Sequence, residues 1–267
     1  MENRTVVVGK CILIFVVTIT IWHLYRLIVT YSVYESYFEW ETTQGYLVYL
    51  FFYIIMLAIL AFFTINLDHS PLKNIGLRRT AKWKWHILLG VVFAFLVRFL
   101  QIGADLLIGG AIVMYTYSSL FVIAFFIVTT FFVGLAEESV FRGYIQRRLT
   151  GVWKFLPALL VTSILFHVYH INFFSASAND IVAAILVVTP SFGIFVGYLY
   201  YKSEEILLAP IALHMFYDLF GTIVPLGVDT TNIQPILRSA SNILVWSLLI
   251  VIFKMVADKT NIFRNKK

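Results

Sequence analysis

The chain has 267 residues, of which 61% are hydrophobic and 13% are charged. A soluble domain has about 25% charged residues, so these values exclude a soluble globular protein, a disordered chain and a disulfide-stabilised scaffold. A net charge of +6 would suggest nucleic-acid binding in a soluble protein. Because the cytoplasmic loops of membrane proteins collect lysine and arginine, we instead predict a membrane protein with no nucleic-acid partner.

Long apolar runs predict eight membrane-spanning helices. In chain order they cover residues 6–30, 45–66, 85–104, 117–137, 155–175, 181–201, 205–226 and 241–257. The runs are too long for strands and do not alternate, which excludes a membrane β-barrel. The predicted fold class is therefore all-α, with about eight transmembrane helices in a polytopic membrane protein.

The basic residues predict the orientation of these helices. Seventeen of the 20 lysines and arginines fall in the N-terminal tail, in the predicted loops near 67–84, 138–154 and 202–205, and in the C-terminal tail. The other loops hold mostly acidic residues. Since cytoplasmic loops carry the excess of basic residues, both termini are predicted to be cytoplasmic. The predicted location is the cell membrane, specifically the cytoplasmic membrane of a bacterium.

One cluster of charged residues lies where the fourth predicted span ends. A charge at the bilayer centre costs roughly 2.5–3.5 kcal/mol on insertion scales, so such a cluster needs an explanation. Glu138 and Arg142 are spaced i, i+4, which puts them on one helix face as an ion pair. Glu137 is rotated by about 100° from Glu138 and has no such partner. An ordinary interfacial charge cluster is the alternative interpretation.

Two further polar clusters lie inside predicted spans. The fifth span contains His167 and His170, and the seventh contains His214 and Asp218, which share a helix face. Ionisable groups in a membrane usually face the bundle interior and meet one another. If these groups converge, they form a buried polar site. Three kinds of site are then open: a carboxylate that activates water, a metal site or a proton relay. A hydrogen-bonded core histidine is the alternative for each histidine taken alone.

Together the three clusters resemble the CAAX protease and bacteriocin-processing (CPBP, or Abi) family of intramembrane endopeptidases. The motifs, in order on successive hydrophobic helices, are EExxxR (Glu137, Glu138, Arg142), FxxxH (Phe166, His170) and HxxxD (His214, Asp218). By this resemblance, residues 117–225 are the predicted catalytic core. Residues 1–116 are then N-terminal transmembrane helices, and residues 226–267 are the last helix with a basic cytoplasmic tail.

The resemblance also implies roles for the motif residues. It implies a helical peptidase with a conical cavity opening toward the cytoplasm, in which Glu137 and His170 activate water. The resemblance implies that His214 and Asp218 stabilise the oxyanion. Glu138, next to Glu137 in the first motif, would hold the arginine of that motif and shape the helix.

Another view of the family makes its site residues zinc ligands, so zinc is the alternative to the favoured mechanism without a cofactor. The candidate ligands are Glu137, His170, His214 and Asp218. Several family members have Asn where this chain has Asp218. An ionised Asp accepts hydrogen bonds but does not donate them, so Asp218 would orient protonated His214, be protonated itself or bind a metal. His167 is an additional candidate ligand, with a packing or pore-lining role as its alternative.

The predicted boundaries contain one conflict. Glu137 lies near the inner end of its predicted span, whereas His170 lies about fifteen residues, roughly 22 Å, beyond the start of the next. Straight helices would separate the two side chains. Either the fifth span begins later than Phe155, or the cavity draws Glu137 inward. An error in the predicted boundaries is the explanation that we expect.

These inferences predict an intramembrane endopeptidase. Its substrate would be a small peptide or precursor in the lipid bilayer, such as a bacteriocin, a pheromone or a lipid-bearing tail. The alternatives are a non-catalytic immunity or scaffold protein with the same fold, a zinc-dependent metalloprotease that uses the same residues, and a proton-coupled transporter. Visible repeat halves, which many transporters have, are absent from the sequence.

Overall fold

The computed structural model describes residues 3–31, 43–114, 120–171, 190–223 and 226–260. Nine α-helices account for most of these residues: α1 (Arg4–Tyr31), α2 (Thr43–Phe62), α3 (Trp83–Leu107), α4 (Leu120–Glu138), α5 (Arg147–Trp153), α6 (Phe155–His170), α7 (Pro190–Lys202), α8 (Leu208–Ile223) and α9 (Pro235–Thr260). Wider π-helical turns cover Phe63–Leu67 and Ser139–Gln146, and a short 3-10 helix covers Leu72–Ile75. The helical architecture that the sequence predicts is confirmed.

Within the residues that the structure describes, five helical stretches are long and apolar enough to cross a membrane. They are Arg4–Leu27, Leu47–Leu67, Trp83–Leu107, Ile123–Trp153 and Ile236–Asp258. Phe155–His170 and Leu208–Gly221 are shorter apolar helices. Part of the predicted span 181–201 falls outside the described residues. The count of eight spans and the cytoplasmic termini therefore stay predictions.

The predicted inner end of the fourth span is wrong. Helix α4 continues through the π-helical turn Ser139–Gln146 into α5, so one apolar stretch of 31 residues covers Ile123–Trp153. Residues 138–153 are therefore helical, and the predicted loop is reduced to the reversal at Lys154. Arg142 is fully buried and is not a loop charge. Hydropathy falls after residue 137, but Glu138, Arg142 and Gln146 are buried and have hydrogen-bond partners on other helices.

This longer helix resolves the conflict between the heights of Glu137 and His170. The chain reverses at Lys154, where φ is 69°. Glu137 lies 16 residues before Trp153, and His170 lies 15 residues after Phe155. At about 1.5 Å per residue, both side chains lie roughly 22–24 Å from the reversal. Helix α6 begins at Phe155, so the suggested later start of the fifth span is wrong, and it ends at His170 rather than at residue 175.

Two glycines one turn apart let α7 approach the π-helical turn closely. Arg142 Nη2 donates to the Gly193 carbonyl at 3.4 Å, and Gln146 Nε2 donates to the Gly197 carbonyl at 2.9 Å. A Cβ on Gly193 would lie 3.0 Å from Ser163 on α6, so a larger residue would push the helices apart. The i, i+4 spacing of the two donors matches the i, i+4 spacing of the two carbonyls.

The all-α prediction missed a small antiparallel sheet. β1 (Ala111–Met114) pairs with β2 (Leu226–Asp229), with Ala111 opposite Asp229 and Met114 opposite Leu226. Four residues are too few for an alternating pattern to be recognised in the sequence. The sheet follows the last residues of α3 and α8 and lies at the end of the bundle away from Lys154.

The cytoplasmic assignment of the Lys154 end can be tested with reporter fusions. Arg147 and Glu205 form an ion pair at 3.0 Å, which places the Lys154 reversal and the segment between α7 and α8 at the same end. We expect alkaline phosphatase fused near residues 35–42 or 175–180 to be active, hence external. Control fusions at Lys154 and Glu204 should both be inactive, and a cytoplasmic signal from 35–42 or 175–180 would overturn the topology.

Candidate active site

Three side chains from three different helices converge at the centre of the bundle. Glu137 on α4 places Oε2 at 3.5 Å from His170 Nε2 and at 3.7 Å from His214 Nε2. The glutamate is 1% exposed, and His214 is also buried. The His170 side chain is one third exposed, so the site is accessible from its side. The structure thus brings together one residue from each sequence motif.

A backbone carbonyl orients the His170 ring. His170 Nδ1 lies 2.8 Å from the Phe166 carbonyl oxygen, one helical turn earlier. A carbonyl only accepts, so Nδ1–H is the donor, and Nε2 of the neutral ring faces Glu137 with its lone pair. The Phe166 ring packs against the imidazole, with ring centroids 4.6 Å apart. The carbonyl and the ring of Phe166 therefore together set the direction of His170 Nε2.

A second carboxylate orients the His214 ring. His214 Nδ1 donates to Glu138 Oε1 at 2.7 Å. Its Nε2 faces Glu137 at 3.7 Å and Asp218 Oδ2 at 3.6 Å. The sequence predicted the proximity of His214 and Asp218 from their spacing. It missed the contact with Glu138 because 76 residues separate the two side chains.

The predicted ion pair between Glu138 and Arg142 is present. Arg142 Nη1 donates to Glu138 Oε1 at 3.1 Å, and both side chains are fully buried. The guanidinium carbon lies 4.3 Å from the centroid of the Phe166 ring, which is a cation–π contact. Glu138 Oε1 therefore accepts from Arg142 and His214 together, and the arginine and the histidine are linked through one oxygen.

Two tyrosines from α2 complete the surroundings of Glu137. Tyr53 OH donates to Glu137 Oε1 at 2.8 Å, and Tyr49 OH lies 3.1 Å from Tyr53 OH. One carboxylate oxygen is thus anchored by a phenol while the other faces the two imidazoles. Neither tyrosine was among the site residues predicted from the sequence. The only signal was their i, i+4 spacing in an otherwise apolar helix.

Zinc ligation is the alternative that the sequence leaves open for this site. Tetrahedral zinc has ligand bonds of about 2.0–2.2 Å, which places ligand atoms about 3.3–3.6 Å apart. The Glu137 Oε2 distances of 3.5 and 3.7 Å lie at the upper end of this range and just beyond it. Within the described residues, no group of three or more His, Cys, Asp or Glu side chains is arranged to hold a metal ion. A carboxylate with two imidazoles nevertheless suits zinc chemically. Zinc ligation, including the role suggested for buried His167, stays a prediction.

Comparison with known proteins gives one result that bears on this geometry. Residues 118–220 match the family model described as type II CAAX prenyl endopeptidase Rce1-like. No curated protein matches the chain. The matched stretch contains all three motifs, whereas Tyr49 and Tyr53 lie outside it. The family resemblance predicted from the motifs is confirmed over residues 118–220, where this multi-pass membrane protein is similar to a family of proteases.

Proposed function

We propose that this protein is an intramembrane endopeptidase in which Glu137 is the general base. The observation that carries the proposal is the position of Glu137 Oε2 between the Nε2 atoms of His170 and His214. This arrangement lies within the stretch that matches a protease family. Peptide hydrolysis needs an activated water and a group that stabilises the oxyanion, and the converging side chains supply candidates for both.

Glu137 and His170 are the proposed water-activating pair. Glu137 takes a proton from a water molecule as the water oxygen bonds to the scissile carbonyl carbon, and His170 Nε2 accepts the second hydrogen bond of that water. The carbonyl oxygen becomes an oxyanion. The proton on Glu137 then passes to the amide nitrogen as the carbon–nitrogen bond breaks. Tyr53 holds Glu137 Oε1, so that Oε2 is the oxygen that reacts.

His214 is the proposed oxyanion donor. With Nδ1–H held by Glu138, a proton on Nε2 points toward the space shared by Glu137 and Asp218. Glu138 compensates the positive charge of the ring when both nitrogens carry protons. Asp218 sits at the same Nε2 atom, where it orients the ring or, if protonated, donates a hydrogen bond itself.

The proposed substrate is a small peptide or precursor associated with the membrane, such as a bacteriocin, a pheromone or a lipid-bearing tail. The burial of the site among apolar helices supports a substrate segment that enters the membrane. Comparative mass spectrometry of peptides from cells with wild-type protein or the Glu137→Gln variant should identify products that only the wild type forms. No difference between the two would favour a non-catalytic immunity or scaffold role.

Neighbouring glutamates are expected to respond differently to the same substitution. Glu137→Gln should lower turnover by about 10²–10⁴-fold because Gln cannot act as a general base, while the unfolding temperature should change little. Glu138→Gln should instead destabilise the protein by about 3–5 kcal/mol, the usual cost of breaking a buried ion pair. Turnover of purified protein and thermal unfolding in detergent measure the two effects. Near-wild-type turnover in stably folded Glu137→Gln would refute the assignment.

Asp218 distinguishes the mechanism without a metal from the zinc mechanism. We expect Asp218→Asn to keep substantial activity, because Asn can hydrogen-bond His214 or the oxyanion. Asp218→Ala and His214→Ala should lose most activity, since an oxyanion donor is worth roughly 2.7–4 kcal/mol. A zinc ligand would behave differently, because neutral Asn binds the metal poorly. Each variant is assayed with and without a zinc chelator, together with its metal content. An inactive, metal-depleted Asp218→Asn protein and a chelator-sensitive wild type would establish the metalloprotease instead.

Tyr53 is expected to act as a positioning residue for Glu137. Tyr53→Phe removes one hydrogen bond to a carboxylate, worth about 1.5–3 kcal/mol, so kcat should fall by about 10–100-fold. KM should change little, because the Tyr53 side chain is buried and its hydroxyl contacts Glu137. Tyr49→Phe is the matched control, one hydrogen bond further away, and should have a smaller effect. Equal loss in both variants, or a loss explained by a lower unfolding temperature, would contradict this role.

A further inference from the structure

A cavity with a basic lining lies at the end of the bundle that contains the Lys154 reversal. Its volume is about 470 Å³. It is bordered by the first turns of α1, the π-helical turn Phe63–Leu67, the 3-10 helix Leu72–Ile75 and α5. Arg148 in its lining comes 11 residues after Glu137, about 16 Å along the helix, so the cavity is separate from the proposed active site. We call it the basic pocket, and its polar lining residues are Arg4, Thr64, Ser70, Asn74, Arg147 and Arg148.

Two of the three lining arginines are held by carboxylates from other segments. Arg147 Nε pairs with Glu205 Oε2 at 3.0 Å. Arg148 Nη2 pairs with Asp68 Oδ2, and its guanidinium carbon lies 4.6 Å from the centroid of the Tyr144 ring. These contacts fix the positions of both guanidinium groups at the wall of the pocket.

Arg4, the third lining arginine, is exposed and leaves the pocket with an excess of positive charge. Among the residues that the structure describes, no carboxylate lies within 4.0 Å of the Arg4 guanidinium nitrogens. Asp68 Oδ1 also pairs with Lys10 Nζ at 2.9 Å, so this carboxylate faces two cations. The lining arginines and their ion-pair partners thus comprise four cations and two carboxylates, an excess of two positive charges: Arg4, Lys10, Arg147 and Arg148 against Asp68 and Glu205.

The pocket also offers a neutral donor and open space. Asn74 Nδ2 donates to Ser70 Oγ at 2.8 Å, which leaves the Ser70 hydroxyl hydrogen for another acceptor. A Cβ on Gly143 would lie 2.5 Å from the Ile75 carbonyl oxygen, so this glycine lets the 3-10 helix close one wall of the pocket. A Cβ on Gly151, in contrast, would meet no atom within 4 Å, so the space beside this lining residue is open.

The pocket lies at the level where two apolar stretches end. The stretch Arg4–Leu27 begins at the pocket, and the stretch Ile123–Trp153 ends there. Basic pockets between transmembrane helices on the cytoplasmic side, which is the predicted side of this end, bind anionic lipid headgroups. Val7 and Val152 add apolar surface beside the basic groups. A lipid therefore suits the pocket better than a soluble phosphate, because a lipid has an apolar part next to its charged headgroup.

We propose that the basic pocket binds the headgroup phosphate of an anionic phospholipid, with Arg4 as its pairing partner. The planar guanidinium presents paired N–H donors that match two oxygens of a phosphate. An excess of two positive charges favours a lipid with a net negative charge over a zwitterionic lipid. The inference goes beyond the proposed peptidase function and does not depend on it, since no residue of the pocket takes part in the proposed chemistry.

Separate titrations with two lipids test the site. Dioctanoyl-phosphatidylglycerol and dioctanoyl-phosphatidylcholine are each added to the full-length protein in a non-ionic detergent, and native mass spectrometry measures the bound lipid. We expect the anionic lipid to bind about 10–30-fold more tightly, because each excess basic residue near a membrane surface favours an anionic lipid by roughly fivefold. Equal affinity of the two lipids would overturn the proposal.

A matched pair of arginine variants separates the pocket from the general charge of the protein. Arg4→Gln should lower the preference for the anionic lipid by about fivefold. Arg79→Gln removes the same charge from an exposed arginine outside the pocket lining, next to Arg78, which donates to the Glu204 carbonyl at the same end of the bundle. This control should keep the preference. An equal reduction in both variants would show diffuse attraction to the basic surface and refute a defined site.

Gly151→Leu tests the shape of the pocket without changing its charge. The open space beside Gly151 accommodates the new side chain, which would then occupy the place of the lipid. We expect this variant to lose most of its affinity for dioctanoyl-phosphatidylglycerol while its unfolding temperature without lipid changes little. Unchanged affinity would mean that the lipid binds elsewhere, which contradicts the proposal.

Inorganic phosphate distinguishes a lipid headgroup from a soluble phosphate. It has the same charged oxygens but lacks the glycerol and the acyl chains, so it should displace bound dioctanoyl-phosphatidylglycerol only weakly. Displacement by phosphate at the concentrations at which the lipid itself competes would identify a site for a soluble anion, and the assignment to a lipid would be wrong.

Discussion

One carboxylate oxygen, Glu138 Oε1, connects the parts of the site. It accepts from Arg142 at 3.1 Å and from His214 at 2.7 Å, and Arg142 also donates to the Gly193 carbonyl on α7. The π-helical turn, α7 and α8 are thereby joined through charged groups in a membrane interior, where an unpaired charge is costly. Loss of Glu138 would leave a buried guanidinium uncompensated and release the His214 ring. The orientation of this imidazole and the burial of Arg142 therefore depend on the same interaction.

Two adjacent glutamates in the same helix have different chemical environments. A rotation of about 100° per residue turns Glu138 toward the arginine and Glu137 toward the two imidazoles. Glu138 accepts hydrogen bonds from Arg142 and His214, and these contacts favour a structural role. Glu137 is anchored at one oxygen by neutral Tyr53, and its other oxygen lies 3.5 and 3.7 Å from the histidine nitrogens. This asymmetry is the physical basis for proposing one glutamate as the base and the other as its support.

Helix α8 contacts both the converging side chains and Arg98 on α3. His214 and Asp218 face the converging side chains, while the Tyr217 ring stacks on the Arg98 guanidinium. Gly221 removes the side chain that would block the guanidinium.

Hydrophobic composition and local spacing were enough to determine the helical class, the polar clusters and the pairs at i, i+4, since these depend on residues close together in the chain. Glu138 with Arg142 and His214 with Asp218 were predicted for this reason. The end of the fourth helix was not predicted. Hydropathy treats Glu137 to Gln146 as exposed, whereas partners on α2, α7 and α8 allow these residues to be buried. Only the tertiary structure decided that His214 meets Glu138 and that Tyr53 meets Glu137, across 76 and 84 residues. Burial of a charge is favourable only where distant helices bring a partner to it. Local sequence patterns do not show which distant residues meet in space.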